Sequence, residues 1–251
     1  MKKEIREVTK SGTVRVTIAD ERWYIKPAKD AEGIPKIVTV PSVTWIASHY
    51  PKGIAYYKWL ADKGWNEAEA IKQAAGDRGS KVHQAIEYLI SGKEVRMETR
   101  FLNKTTDQLE ELSLEEYEAI MSFVKWHDSV KPDIFSSESV VFNDKDGYAG
   151  TVDLVCVIDG EQWIVDLKTG QYIWPEYELQ VSAYKHAMEG NYRLGILQIG
   201  YQHNKNGFKF TEIQDKFDLF LAAKLIWQNE CGDQKPSVKD YPVSLVLKVN
   251  K

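Results

Sequence analysis

Cysteine is scarce: Cys156 and Cys231 are the only two in 251 residues. Two thiols cannot build a four-thiolate zinc or iron–sulfur centre. Cys156 sits in an apolar run, where a buried free thiol is the plain expectation, and a reducing cytoplasm is the expected home. No apolar run reaches the roughly 18 residues that a membrane span needs. The opening Met-Lys-Lys-Glu-Ile-Arg-Glu lacks the apolar core of a signal peptide. A net charge of −4 excludes a uniformly cationic coat, though not a local basic groove. There is no Walker A loop, so any strand separation would have to come from elsewhere. Repeats and low-complexity segments are also missing. What remains is 43% apolar and 28% charged, ordinary for a globular chain. The length suits one large domain, or a core with an appendage.

One stretch stands out, from Gly150-Thr151-Val152-Asp153 to Asp166-Leu167-Lys168. It reads as two strands joined at Asp159-Gly160, a dipeptide suited to a type I′ turn because both central positions need φ > 0. That turn sets Ile158 against Glu161 and, further along, Asp153 directly against Asp166. The two carboxylates are then expected on one face, with Cβ atoms roughly 4.5–5.5 Å apart. Lys168 follows Asp166 by two and points the same way. Like charges in opposition destabilise a sheet, and one pKa must rise. The neighbours Val152, Leu154, Val155, Val157, Ile164, Val165 and Leu167 are apolar on both faces, which implies a sheet covered on both sides. A divalent cation would relieve the conflict. The bland alternative is an edge hairpin whose charges face water.

Around it the pattern alternates. Residues 13–18 and 22–25 read as a small hairpin about Ala19-Asp20-Glu21, followed by a loop with Pro27, Gly33 and Pro35. Ser42 is an expected N-cap, with helical segments at about 43–49, 53–63 and 66–75. Tyr56-Tyr57-Lys58-Trp59 is an aromatic, basic cluster that fits either a half-buried surface or base stacking. A helix from Arg78 to Ile90 places apolar positions 82, 85, 86, 89 and 90 at helical spacing, with His83 and Glu87 one turn apart. Residues 98–113 read as an irregular connection. Ser113-Leu114-Glu115-Glu116 is a capping box opening a helix to about Val130. A strand over 137–142 and a turn over 143–147 lead into the central hairpin. Pro175 starts a helix to Met188, in which Gln180 and Tyr184 are one turn apart. Strands follow at 194–201 and 208–213, turning at Asn204-Lys205-Asn206-Gly207. A helix covers about 215–230, and a strand is conceivable at 243–249. The unit of strand 161–168, helix 176–189 and strand 195–201 should be a parallel crossover. The expected architecture is α/β: a mixed sheet flanked by helices, with a mostly helical N-terminal extension over 1–77 and a core over 78–251.

The order His-x-x-x-Glu on a helix, Gly-x-x-Asp on a strand, Asp-x-Lys on the next and Gln-x-x-x-Tyr on the following helix resembles the RecB-like branch of the PD-(D/E)XK nuclease superfamily. Within that branch the layout is similar to the family of the mitochondrial genome maintenance exonuclease and its phage and bacterial relatives. The matching stretches are Pro41 to Thr44, Arg78 to His83 with Glu87, Glu138 to Val141, Gly150 to Asp153, Val165 to Gly170, and Leu179 to Val181 with Ala183-Tyr184. They span roughly residues 40–200.

The resemblance implies a restriction-endonuclease-like core and a metal-dependent DNA exonuclease. His83, Asp153, Asp166 and the backbone carbonyl of Leu167 would hold Mg²⁺ or Mn²⁺, and the histidine would make Mn²⁺ well tolerated. Lys168 would orient or deprotonate the attacking water and stabilise charge on the phosphate. Glu87 is left with two roles, holding a second ion through water or orienting His83. Gln180 and Tyr184 would position the nucleic-acid strand or support Lys168, and Arg78 and Lys81 are candidate phosphate contacts. The scarcity of cysteine excludes the iron–sulfur clamp of some RecB-like relatives. The expected substrate is single-stranded DNA with a free end, threaded past a wall built from residues 42–75. Replication or recombination proteins are the expected partners, with no membrane. The rivals are a double-strand-dependent recombination exonuclease of phage type, a non-cleaving metal-binding DNA-processing scaffold, and a glycosidase using the two acids.

Overall fold

The computed structural model describes residues 4–9, 11–18, 21–29, 32–200, 207–232 and 236. The chain begins with a four-stranded antiparallel sheet, β1 (Glu4–Val8), β2 (Val14–Ile18), β3 (Glu21–Lys29) and β4 (Pro35–Pro41), in that spatial order. The expected hairpin forms the middle of this sheet, two further strands flank it, and the helical part of the N-terminal region begins at Val43. Pro27 is tolerated inside β3 because β2 pairs no further than Ile25, so the missing N–H lies on an edge. β4 escapes notice because most of it is exposed and it carries a proline at each end.

Three helices follow: α1 (Val43–Ala47), α2 (Ile54–Lys63) and α3 (Trp65–Ile90). Ser42 caps α1 through Trp45 N–H. α3 is a single 26-residue helix that runs unbroken through Gly76, Gly79 and the boundary expected at 77/78. Each interior glycine costs only about 1 kcal/mol relative to alanine, which its packed C-terminal half offsets. A short hairpin, β5 (Phe101–Asn103) and β6 (Gln108–Glu110), occupies the segment read as irregular. α4 (Leu114–Val130) opens on the full capping box of Ser113 and Glu116.

The central sheet has the order β11-β10-β9-β8-β7, from β7 (Asp133–Asn143), β8 (Tyr148–Ile158), β9 (Glu161–Lys168), β10 (Arg193–Ile199) and β11 (Phe208–Ile213). Asp159 and Gly160 take φ of 51° and 81°, and Ile158 pairs with Glu161 in the expected register. β9 and β10 are parallel across α5 (Pro175–His186), while the other pairs are antiparallel. α6 (Phe217–Cys231) closes the described chain. The turns expected at 19–20 and 204–206, and the strand at 243–249, lie outside the described residues.

Alternation along β8 and β9 feeds two cores. Val155 and Ile164 join Val181, Ala183, Phe220 and Ile46 on the side of α1, α5 and α6. Leu154, Val165 and Leu167 join Val82, Ile86, Ile120 and Phe123 on the side of α3 and α4. Each of these valine, leucine, isoleucine and phenylalanine side chains contributes about 1.5–3 kcal/mol on burial. The N-terminal sheet belongs to the first core: Trp23, Trp45 and Trp227 meet edge to face at 4.9, 5.2 and 6.3 Å. The Tyr24 and Thr151 hydroxyls also hydrogen-bond at 2.8 Å. Among the described residues no helix is long and apolar enough to cross a membrane.

Candidate metal centre

The regular ladder of β8 and β9 stops at Leu154 and Val165, one step short of the two acids. Beyond it Asp153 Oδ2 accepts the Leu167 N–H at 2.7 Å, so its carboxylate leans towards the layer of α3. The C-terminal half of α3 is anchored there by Val82, Ala85 and Ile86, and this sets His83 over the end of the sheet. His83 Nε2 lies 3.2 Å from the Leu167 carbonyl oxygen. Its Nδ1 lies 3.4 Å from Glu138 Oε1 and 3.5 Å from Asp153 Oδ1. One ligand atom from each of His83, Glu138 and Asp153 falls within 4.8 Å of the other two.

Both ring nitrogens of His83 face acceptors, an arrangement that suits the doubly protonated imidazolium. Burial works against that charge, but Asp153 and Glu138 outweigh it and hold the pKa well above the usual histidine range. Burial likewise raises the Asp153 carboxyl, yet His83, Lys168 and the Leu167 N–H keep it below the ordinary value. The site thus concentrates negative potential that the protein meets with a proton. A divalent cation fits the same donors: two carboxylates, an imidazole and a carbonyl oxygen, with the imidazole then neutral.

Asp166 faces the other helical layer and stands outside that group of three. Its Oδ1 accepts from Gln180 Nε2 at 2.9 Å, and the same amide donates to the Tyr184 hydroxyl at 2.8 Å. Its Oδ2 is buried and lacks a hydrogen-bond donor of good geometry, having only the ion-pair contact with Lys168 Nζ at 2.5 Å. Burial first, then Asp153, push the Asp166 carboxyl up to about 7, although Lys168 pulls the other way. Lys168 is held above its usual value: burial would lower it, but Asp166 and Asp153 prevail. The ammonium lies 4.5 Å from the centroid of the Tyr177 ring.

No family model matches the sequence, and no curated protein does. Among solved structures, the chain is similar to an alkaline exonuclease (LHK-Exo) from Laribacter hongkongensis, with 11% identity over 75% of this chain and 84% of that one and a TM-score of 0.37.

The remaining expected site residues have different surroundings. Lys81 is 6% exposed and pairs with Glu116 at 2.9 Å and Glu110 at 3.6 Å, so it braces the start of α4 and cannot serve as a phosphate contact. Arg78 is half-exposed but bound to Glu115 at 2.6 Å. Glu87 is half-buried and outside the His83 group. Gln180 and Tyr184 are buried, so they meet Asp166 and the sheet and present no face to a nucleic-acid strand. Tyr184 packs where a side chain at Gly150 would otherwise stand, which accounts for that glycine.

Glu138 lies in one of the matching stretches, and the resemblance assigns it no role. It sits in β7 with φ of 50°, between the paired residues Ser137 and Ser139 and opposite Asp153. A left-handed non-glycine residue costs about 1–3 kcal/mol and is a recurrent mark of functional sites. The signal was available: pairing Asn143 with Tyr148 across the expected turn and counting back sets Glu138 against Asp153.

Proposed function

We propose that this chain is a metal-dependent nuclease that hydrolyses phosphodiester bonds of DNA, acting from free ends of single strands. The observation that carries this reading is the meeting of His83, Glu138, Asp153 and the Leu167 carbonyl, with a buried carboxylate and an ammonium group alongside. His83, Asp153, Asp166 and the Leu167 carbonyl would hold Mg²⁺ or Mn²⁺, and we add Glu138 to that set. When bound, such an ion would supply Lewis-acid polarisation of a phosphoryl oxygen and a lowered pKa for water.

The chain's own residues do the rest. Asp153 and Glu138 bring negative charge to one side, and His83 would ligate a cation only as the neutral imidazole. Gln180 fixes the rotamer of Asp166 from behind, with Tyr184 fixing Gln180. Because Lys168 is held charged, its role is to orient water and offset charge developing on the phosphate, and proton abstraction is disfavoured. A scaffold that only bound metal would have no use for that buried ammonium, which argues for cleavage.

Digestion of end-labelled single- and double-stranded DNA with Mg²⁺, Mn²⁺ or EDTA tests the proposal. Metal-dependent loss of single strands is expected, and sealed circular strands should survive. Equal attack on circles would remove the requirement for ends, and hydrolysis in EDTA would remove the metal.

A further inference from the structure

Lys168 leads into a short loop, Thr169-Gly170-Gln171-Tyr172-Ile173-Trp174, before α5 begins at Pro175. Gln198 Nε2 donates to the Gly170 carbonyl at 3.0 Å and pins the base of that loop. Beyond the pin, Tyr172 is 70% exposed and Trp174 42%, with ring centroids 6.2 Å apart. By contrast Trp23, Trp45, Trp126, Trp163 and Trp227 are all buried. Three residues separate Tyr172 from Lys168, so the two Cα atoms lie within roughly 14 Å along the chain.

A second aromatic group borders the same helix start. Lys52 pairs with Glu176 in the first turn of α5 and lies 5.7 Å from the Tyr56 ring. Tyr56 in turn meets Tyr57 at 5.6 Å and Trp59 at 5.8 Å. α2, which carries them, buries none of its residues.

We propose that Tyr172 and Trp174, with Tyr56 and Trp59 alongside, form a stacking platform for unpaired bases beside the catalytic lysine. This rests on the nuclease reading for the position of the phosphate. Aromatic faces capture any base whose own face is free, without regard to sequence. A duplex keeps those faces covered, so the platform selects single strands. The lysines interleaved with the rings, Lys52 and Lys168, suit the backbone that accompanies the bases.

The test compares fluorescence-labelled oligothymidylate with an abasic strand of equal length, by anisotropy in EDTA. Both carry the same phosphates, so the ratio of affinities reads the bases alone. The protein should prefer oligothymidylate by about tenfold or more, since each stacked base contributes on that order. The double variant Tyr172→Ala/Trp174→Ala should lose most of this preference, and Tyr172→Phe/Trp174→Phe should keep it. Circular dichroism shows whether each variant is folded, and the phenylalanine pair keeps the test alive if the alanine pair is not. Equal affinity for the two strands, or an alanine variant that binds like the parent, overturns the platform. Hydrolysis in Mg²⁺ is scored separately. Base-dependent binding without hydrolysis sinks the nuclease reading alone, and hydrolysis with an unchanged KM in the alanine variant sinks the platform alone.

Discussion

The two sides of the central hairpin treat their acids differently. Towards α3, Asp153 meets an imidazole, a second carboxylate and a main-chain carbonyl, and its charge is kept. Towards α5, Asp166 meets an amide and an ammonium in a buried setting, and its pKa rises to about 7. One side gathers three side-chain donors within 4.8 Å, and the other offers one further carboxylate held in a set orientation by Gln180. The difference arises because the regular ladder ends before the acids, leaving each to bond with a different helical layer. The contrast teaches that adjacency along a hairpin does not make two acids equivalent.

The largest expected effect tests whether both sides are needed. Asp153→Ala, Asp166→Ala and Lys168→Ala should each lower kcat/KM on single-stranded DNA by about a thousandfold or more, the scale of losing a principal electrostatic contributor. Calorimetric Mn²⁺ titration should then separate the sides, with binding lost in Asp153→Ala and kept in Lys168→Ala. Retained cleavage in any of the three variants would contradict the assignment.

A smaller effect sharpens the contrast through the supporting residues. Glu138→Gln should weaken metal binding about tenfold and recover with added Mn²⁺, as suits a ligand. Gln180→Leu should cost about 10–100-fold in kcat without such recovery, since it orients Asp166 from behind. If extra metal rescues both equally, the division between the sides disappears. Gly150→Ala should destabilise the fold by about 1–3 kcal/mol by pushing on the Tyr184 ring, as seen by urea unfolding.

The smallest effect concerns stability and pH. Burial pushes the Asp166 carboxyl of the folded chain up to about 7, from an ordinary 3.8. Below the lower value both folded and unfolded chains carry its proton. Between the two only the folded chain does, so stability falls as pH rises through this window and the loss is complete above about 7. Asn cannot ionise. The melting temperature of Asp166→Asn relative to the parent should therefore rise between about pH 4 and about pH 8 in EDTA, and rise less with Mg²⁺ present. A difference that stays flat across that window would show that Asp166 does not titrate there.

Local chemistry was legible wherever it acted alone. The turn at Asp159-Gly160, the capping box at Ser113 and Glu116, and the parallel pairing of β9 with β10 all followed from short-range patterns. The N-terminal sheet was less so, because β4 is an exposed edge whose pairing partner, not its own pattern, makes it a strand. Lys81 misled for a related reason: a lysine beside a histidine motif reads as a phosphate contact until two carboxylates from elsewhere are found around it.

The linear order of residues therefore determined which strands exist near the acids, their register up to Leu154 and Val165, and the helix faces carrying His83 and Gln180. Tertiary structure alone decided that His83 closes over Glu138 and Asp153 while Asp166 turns to Gln180. Register counts positions along a ladder, whereas the direction of a buried carboxylate depends on which charges and donors the packed layers bring within a few ångströms, where electrostatic interactions are strongest.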